Sequence, residues 1–201
     1  MTHKVDSSEY WDEIYVKASA GWDLKSAAPV FLDLLSNDLL KNKKSLLILG
    51  CGYGYDAIAA AKIGFEVTAI DFSESAISFA KKLASEESVN VNFIVKDLFK
   101  LGTEYKNKFD IVYDYVIYCA INPGRRKEYA EKISVLIKNT GLFLIILFPI
   151  ENRDGGPPFA VDPVEAEQFF SQNLELILST DKINSIKPRK GRELLQIYRK
   201  N

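Results

Sequence analysis

The sequence predicts an α/β fold: a doubly wound sheet of seven strands, mostly parallel, with one antiparallel strand in the edge region. Three observations carry this reading. Apolar runs of strand length alternate with stretches of helical spacing. A glycine-rich turn joins the first such run to a helix. The last two runs, residues 174–180 and 194–199, follow one another with no helix between them. Parallel neighbours need a crossover, so a helix-free final pair implies a hairpin. With 201 residues and 47% apolar content, the chain can bury a full core, and a single domain over residues 1–201 is expected.

In chain order, residues 28–40 set Val30, Phe31, Leu34, Leu35 and Leu39 at helical spacing. Residues 45–71, SLLILGCGYGYDAIAAAKIGFEVTAID, read as strand, Gly-x-Gly-x-Gly turn, helix, and a second strand ending in Asp71. Ser73 begins a helix that runs to about Glu86, with Glu74 in its first turn. Residues 91–95 and 109–113 are the third and fourth strands. Pro123 then starts a helix to Lys138, as proline can at a first helical position, and residues 139–141 act as its stop. The unbroken apolar character of residues 142–148 marks a central strand. Asp162 before Pro163 opens a helix over 162–172, and residues 181–193 form a long basic loop. No internal repeat or low-complexity tract is visible.

Composition narrows the function. A net charge of −1 and a pI near 6.0 give no reason to expect nucleic acid or an anionic membrane as partner. The longest apolar run, residues 141–150, is too short to span a bilayer, and the first residues lack a signal-type apolar segment, so a cytoplasmic location is expected. Cys51 and Cys119 are too few for a disulfide framework and read as small buried residues; His3 is the sole histidine. A Cys/His metal site and a Ser-His-Asp triad are thereby excluded.

The strongest functional signal is the β-α-β unit. Gly50, Gly52 and Gly54 let backbone approach a ligand closely, and Asp71 stands at the carboxyl end of the second strand, where a ribose hydroxyl pair would sit. A nucleoside-type ligand follows. Hydride transfer is disfavoured, because the spacing is not Gly-x-Gly-x-x-Gly and no Tyr-x-x-x-Lys pair occurs.

A seven-strand order ending in a hairpin, with Lys96-Asp97-Leu98 after the third strand, resembles the Rossmann-like class I S-adenosylmethionine-dependent methyltransferases over the whole chain. FDIVYDYVIYCAINPGRR (109–126), LFPI (147–150), GGPPFAV (155–161) and IKPRKGRE (186–193) are similar to the thiopurine methyltransferase group, closest to its halide/thiol methyltransferase branch. Trp11 and Trp22 match a pair of cofactor-contacting tryptophans in that branch, with Tyr15 where a further tryptophan is expected. The resemblance implies that Trp11, Trp22, Gly50, Gly52, Asp71, Asp97, Leu98 and Tyr115 line S-adenosylmethionine, released as S-adenosylhomocysteine. Asp97 would accept from the adenine amine while Leu98 offers it an apolar face. It also implies that residues 1–25 cover the cofactor and that Tyr15, Tyr115, Arg126 and Phe148 are substrate-side candidates. Phe148 stands where a plant-like relative carries a tyrosine.

The bland readings stand beside these. The tryptophans and Tyr115 also suit a core, Asp114 suits a structural acceptor, and Arg125 and Arg126 suit a solvated helix start. The basic group Lys187, Arg189, Lys190 and Arg192 lacks the interleaved aromatics of a nucleic-acid patch, and reads as a solvated loop with one inward arginine. Residues 155–158 form a turn that also suits a substrate-covering loop.

The chemistry points the same way. Methyl transfer from a sulfonium needs an aligned nucleophile and excluded water rather than stabilisation of a new charge. An alcohol or amine gains from a general base, commonly histidine. A halide needs none, and a thiol with a reference pKa of about 8.5 is already partly thiolate at neutral pH. The expected substrate is a small soft nucleophile, thiol/hydrosulfide or halide/thiocyanate; a thiopurine-type heterocycle or another small molecule is the alternative, acted on by a monomer. A macromolecular methyltransferase would need an extended groove or an Asn/Asp-Pro-Pro-Tyr motif, of which Asn122-Pro123-Gly124 is only a distant echo.

Overall fold

A computed structural model describes residues 4–17 and 19–201, so His3 lies outside the described residues. Seven strands form one sheet in the order β3-β2-β1-β4-β5-β7-β6, where β1 is Ser45–Leu49, β2 Glu66–Asp71, β3 Asn92–Val95, β4 Phe109–Tyr115, β5 Ile137–Leu147, β6 Glu175–Thr180 and β7 Leu194–Arg199. β1 and β3 pair in parallel with β2, as β4 does with β5; β7 runs antiparallel to both β5 and β6. The expected mixed sheet with its terminal hairpin is present. The chain divides into two compact units, Met1–Leu101 and Gly102–Asn201. Among the described residues no helix is long and apolar enough to cross a membrane.

In the first unit, α1 (Ser8–Val16) precedes α2 (Pro29–Leu35), α3 (Tyr55–Lys62) and α4 (Glu74–Glu86). α3 follows the glycine turn directly. Gly54 is required there on two counts: its φ is +81°, and a Cβ would lie 2.9 Å from both Ala80 of α4 and the Phe93 ring of β3. Ser73 caps α4 by accepting from the Ala76 amide at 3.0 Å. The helix expected over 28–40 is instead α2 followed by a 3-10 turn at Asp38–Leu40, because the Asn37 side chain accepts from the Leu39 amide and starts a new turn.

In the second unit, α5 (Arg126–Leu136) and α6 (Pro163–Phe170) pack together around Tyr129, Phe143 and Phe170. The helix expected from Pro123 begins there as a 3-10 turn and becomes α-helical at Arg126. Residues 139–141 do not separate helix from strand. α5 passes straight into β5 at Ile137, and the polar stretch is a bulge, seen as a register shift between Phe109 and Ile111 and as Thr140 at φ +61°. β4 runs to Tyr115, beyond the expected Tyr113. Beyond it the chain turns through Val116 at φ +70°, a rare conformation for a β-branched residue.

Candidate active site

In the first unit the glycine turn and Asp71 form one hydrogen-bonded structure. The Gly52 amide donates to Asp71 Oδ2 at 2.8 Å and the Ser73 amide to Oδ1 at 2.9 Å. Burial raises this carboxyl above its usual range and those amides pull it back. The Phe72 amide adds a third donor, and a carboxylate with about four acceptor sites still has room for a further hydroxyl. Asp97 uses one oxygen to cap the turn Leu98–Lys100 through the Phe99 amide at 2.9 Å, and its other oxygen lies 3.8 Å from Lys100 Nζ. The Cys51 thiol, beside the turn, is pushed up by burial and by Asp71.

The N-terminal segment supplies an aromatic cluster. Trp11 lies edge-on to Trp22 with ring centres 5.6 Å apart, and its Nε1 donates to the Val5 carbonyl at 3.0 Å. Trp22 Nε1 donates to the Tyr15 hydroxyl at 3.2 Å. Tyr15 is buried against the glycine turn: its hydroxyl oxygen is 2.9 Å from where a Cβ on Gly52 would lie, and its ring is 5.1 Å from that of Tyr53. Burial, with Asp71 nearby, lifts the Tyr15 phenol well above its usual range, so it stays neutral. What holds α1 in place is Asp12, which the sequence reading did not single out. Its carboxylate accepts from Ser73 Oγ (2.6 Å), the Ser75 amide (2.9 Å) and Ser75 Oγ (3.1 Å). These donors, Ser73 foremost, hold the Asp12 carboxyl below its usual range.

The second unit gathers a different set. The guanidinium of Arg189, only 5% exposed, lies over the Tyr115 ring at 4.8 Å and the Phe148 ring at 5.2 Å. Glu193, 2% exposed, accepts from the Tyr115 hydroxyl at 2.8 Å and from Ser185, and stands 4.0 Å from Arg189. Burial raises the Tyr115 phenol far above its usual range. Arg192 covers Phe148 from another side at 5.1 Å and pairs with Glu151. The inward arginine of the basic loop is thus Arg189.

Arg126 takes a different place. It is buried, its guanidinium 4.8 Å from the Tyr118 ring centre, with Nη2 donating to the Ala160 carbonyl at 2.7 Å and Nη1 3.3 Å from Glu165. It joins the α5–α6 packing instead of the Tyr115–Phe148 group. Arg125, beside it, pairs with Glu128 at 2.9 Å. Asp114 is a structural acceptor: the Ile117 and Tyr118 amides and the Tyr129 hydroxyl (2.7 Å) all donate to it, and burial raises its carboxyl to about 6. These bonds fix the turn that contains Val116. Burial pushes the Cys119 thiol up to about 12, which removes it as a nucleophile at neutral pH.

Comparison with known proteins decides the family. The profile of the family described as Thiopurine S-methyltransferase (TPMT) matches residues 6–198. The chain belongs to the thiopurine S-methyltransferase family. It is 33% identical to the probable thiol methyltransferase 2 of Arabidopsis thaliana over 199 residues, covering 98% of this chain and 87% of that protein. Identity to thiocyanate methyltransferase 1 of the same plant is 30%, with the same coverages. In fold it is similar to the Burkholderia thailandensis 1,6-didemethyltoxoflavin-N1-methyltransferase solved with S-adenosylhomocysteine, at TM-score 0.75, 21% identity, and coverage of 96% of this chain and 87% of that one.

The protein is therefore an S-adenosylmethionine-dependent methyltransferase acting on small molecules. Its residues fit that cofactor. The turn at Gly50, Gly52 and Gly54 is built from left-handed backbone, and Asp71 beside it is a carboxylate with spare acceptor capacity for a ribose hydroxyl.

Proposed function

We propose that this family member methylates a small, soft, weakly hydrated nucleophile: a thiol or hydrosulfide reacting as its anion, or a halide or thiocyanate. The observation that carries the reading is the buried Arg189 guanidinium, set over the faces of Tyr115 and Phe148 with Glu193 at 4.0 Å. A guanidinium is more weakly hydrated than an ammonium, and an aromatic wall favours anions that give up water easily. Phe148 supplies no hydroxyl, so that wall is apolar. The names of the Arabidopsis relatives support the same acceptor class.

S-Adenosylmethionine, when bound, supplies an electrophilic methyl group. The protein's own part is to bind, orient and desolvate. We assign Trp11, Tyr15, Trp22, Gly50, Gly52, Asp71, Asp97 and Leu98 to holding the cofactor, with Asp71 on the ribose. We assign Tyr115, Phe148 and Arg189 to the acceptor, and Arg126 to the packing of α5 on α6. The Tyr115 hydroxyl donates to Glu193, so it is a fixed dipole rather than a base. The first 25 residues cover the cofactor, and residues 1–201 work as one domain. The same reading takes the protein as a monomer in the cytoplasm, and a net charge of −1 gives no reason to expect nucleic acid as a partner.

pH–rate profiles test the mechanism. For a simple thiol, kcat/KM rises with pH toward the thiol's own pKa, because the thiolate forms in solution; for iodide it stays flat. A steep rise shared by both would reveal an essential enzyme base and refute this reading. Headspace detection of methyl iodide and methanethiol gives the assay. A heterocyclic thiol is the second reading, favoured by the two aromatic faces beside Arg189, and competition between a thiopurine and iodide separates them.

A further inference from the structure

We infer that Asp12 is a positioning residue for the cofactor: it clamps the aromatic N-terminal helix to Ser73, the same residue whose amide orients Asp71. α1 needs help from outside itself. At nine residues it is too short to persist alone, and its own ion pair, Glu13 with Lys17, is exposed on both sides and contributes little. Besides the aromatic contacts of Trp11 and Tyr15, it is attached through the Asp12 carboxylate, which accepts from Ser73 and Ser75 at the start of α4, with the Glu74 amide beside them.

Ser73 is the junction. Its hydroxyl donates to Asp12 at 2.6 Å and accepts from the Ala76 amide at 3.0 Å, while its backbone amide donates to Asp71 Oδ1 at 2.9 Å. A helix carrying Trp11 and Tyr15 is therefore tied, through one serine, to the carboxylate assigned to the ribose. Loss of the clamp frees α1 and, with it, the Tyr15 hydroxyl that lies over Gly52. Asp12 does this without touching the cofactor. The geometry also specifies which replacement suffices. Asp12 Oδ1 takes both the Ser73 hydroxyl and the Ser75 amide, so an asparagine oxygen keeps those two bonds, and Ser75 Oγ turns to accept from the new amide.

The inference rests on the reading that Trp11 and Tyr15 belong to the cofactor site, and the test separates the two. S-Adenosylhomocysteine affinity is measured by calorimetry for the wild type, Asp12→Ala, Asp12→Asn and Trp11→Ala, with trypsin cleavage at Lys17 and Lys25 followed in parallel. Losing charge-assisted hydrogen bonds should weaken binding roughly tenfold in Asp12→Ala and speed the cleavage by a similar factor. Asp12→Asn should stay within about threefold of wild type. Ser75→Ala, which removes only the 3.1 Å bond, should show the same pattern more weakly and replaces Asp12→Ala if that variant fails to fold. If Trp11→Ala weakens binding but Asp12→Ala does not, the clamp is refuted while the site stands. If Trp11→Ala leaves binding unchanged, the site assignment falls. If Asp12→Asn is as damaged as Asp12→Ala, the charge of Asp12 acts and not its bonding geometry, which overturns the inference as stated. A lower melting temperature with unchanged affinity would reduce Asp12 to a helix cap and overturn it too.

Discussion

In the first unit Asp71 is held by backbone amides, those of Gly52 and Ser73, whereas in the second unit Arg189 is held by side chains: two aromatic faces and Glu193. Backbone amides come with the turn itself. They tolerate substitution nearby as long as the turn keeps its shape. A guanidinium caged by side chains depends on each of them, and each can be exchanged to retune what the cage accepts. On the proposed assignment, the cofactor side is built from parts that resist change and the acceptor side from parts that can drift, in keeping with a family whose named members differ in the small molecule of their names.

The sharpest way to break this contrast is to remove the caged charge. Arg189→Met leaves Glu193 buried without its cation, and breaking such a pair costs on the order of 3–5 kcal/mol. Anion turnover should disappear while the folded fraction still binds S-adenosylhomocysteine. Adding Glu193→Gln should restore most of the melting temperature but not turnover. Recovered turnover in the double variant would show that Arg189 matters only to stability. On the cofactor side, Asp71→Ala should cost roughly 2–4 kcal/mol in S-adenosylhomocysteine binding, measured by calorimetry, in a protein that still melts cooperatively. Near-wild-type affinity would remove Asp71 from the ribose.

A third prediction concerns pH. Burial lifts the Asp56 carboxyl to about 7, against 3.8 as its unperturbed value, and its Oδ1 accepts from the Ala28 amide at 2.7 Å. Between those two values the folded state holds a proton that the unfolded state has lost, so this group's contribution to stability falls as pH rises across the window and levels off above it. Asp56→Asn keeps the acceptor and removes the titration. It should match wild type near pH 4 and exceed it near pH 8 by up to roughly 4 kcal/mol, or about 10 °C, in thermal melts. Equal melting at both pH values would mean that Asp56 is already neutralised or solvated. The smallest effect is expected for Tyr115→Phe, which removes one hydrogen bond to Glu193: about 1 kcal/mol of stability and a change in KM rather than kcat. A collapse of kcat would make the hydroxyl a participant in the chemistry.

The glycine turn and the final hairpin were legible in the sequence because each shows as a pattern within one continuous stretch: glycines between a strand run and a helix, and two strand runs with no helix between them. Asp12 was not, because its donors lie 61 and 63 positions away and no spacing rule links an acid on one helix to serines on another. The basic loop was legible as a loop with one inward arginine. That this was Arg189 depended on Tyr115 and Phe148, which the sheet brings to it from distant positions. The surroundings of Arg126 were hidden for a similar reason: the sequence shows only a cation beside a helix start, and it is the packing of α6 that brings Glu165 to it. The bulge at residues 138–141 was hidden because Asn, Thr and Gly in sequence signal a chain reversal whether they end a helix or kink a strand.

Val116 stores conformational energy directly behind Tyr115. A β-branched residue at φ +70° gives up on the order of 1–2 kcal/mol that a glycine would not. Asp114 holds it there through the Ile117 and Tyr118 amides. The turn is therefore a loaded spring with a carboxylate latch, and a selection for thermal robustness alone would be drawn to replace the valine with glycine. Such a variant would gain stability by relaxing the turn that follows Tyr115, so under the proposed role of Tyr115 durability and turnover pull on this single position in opposite directions.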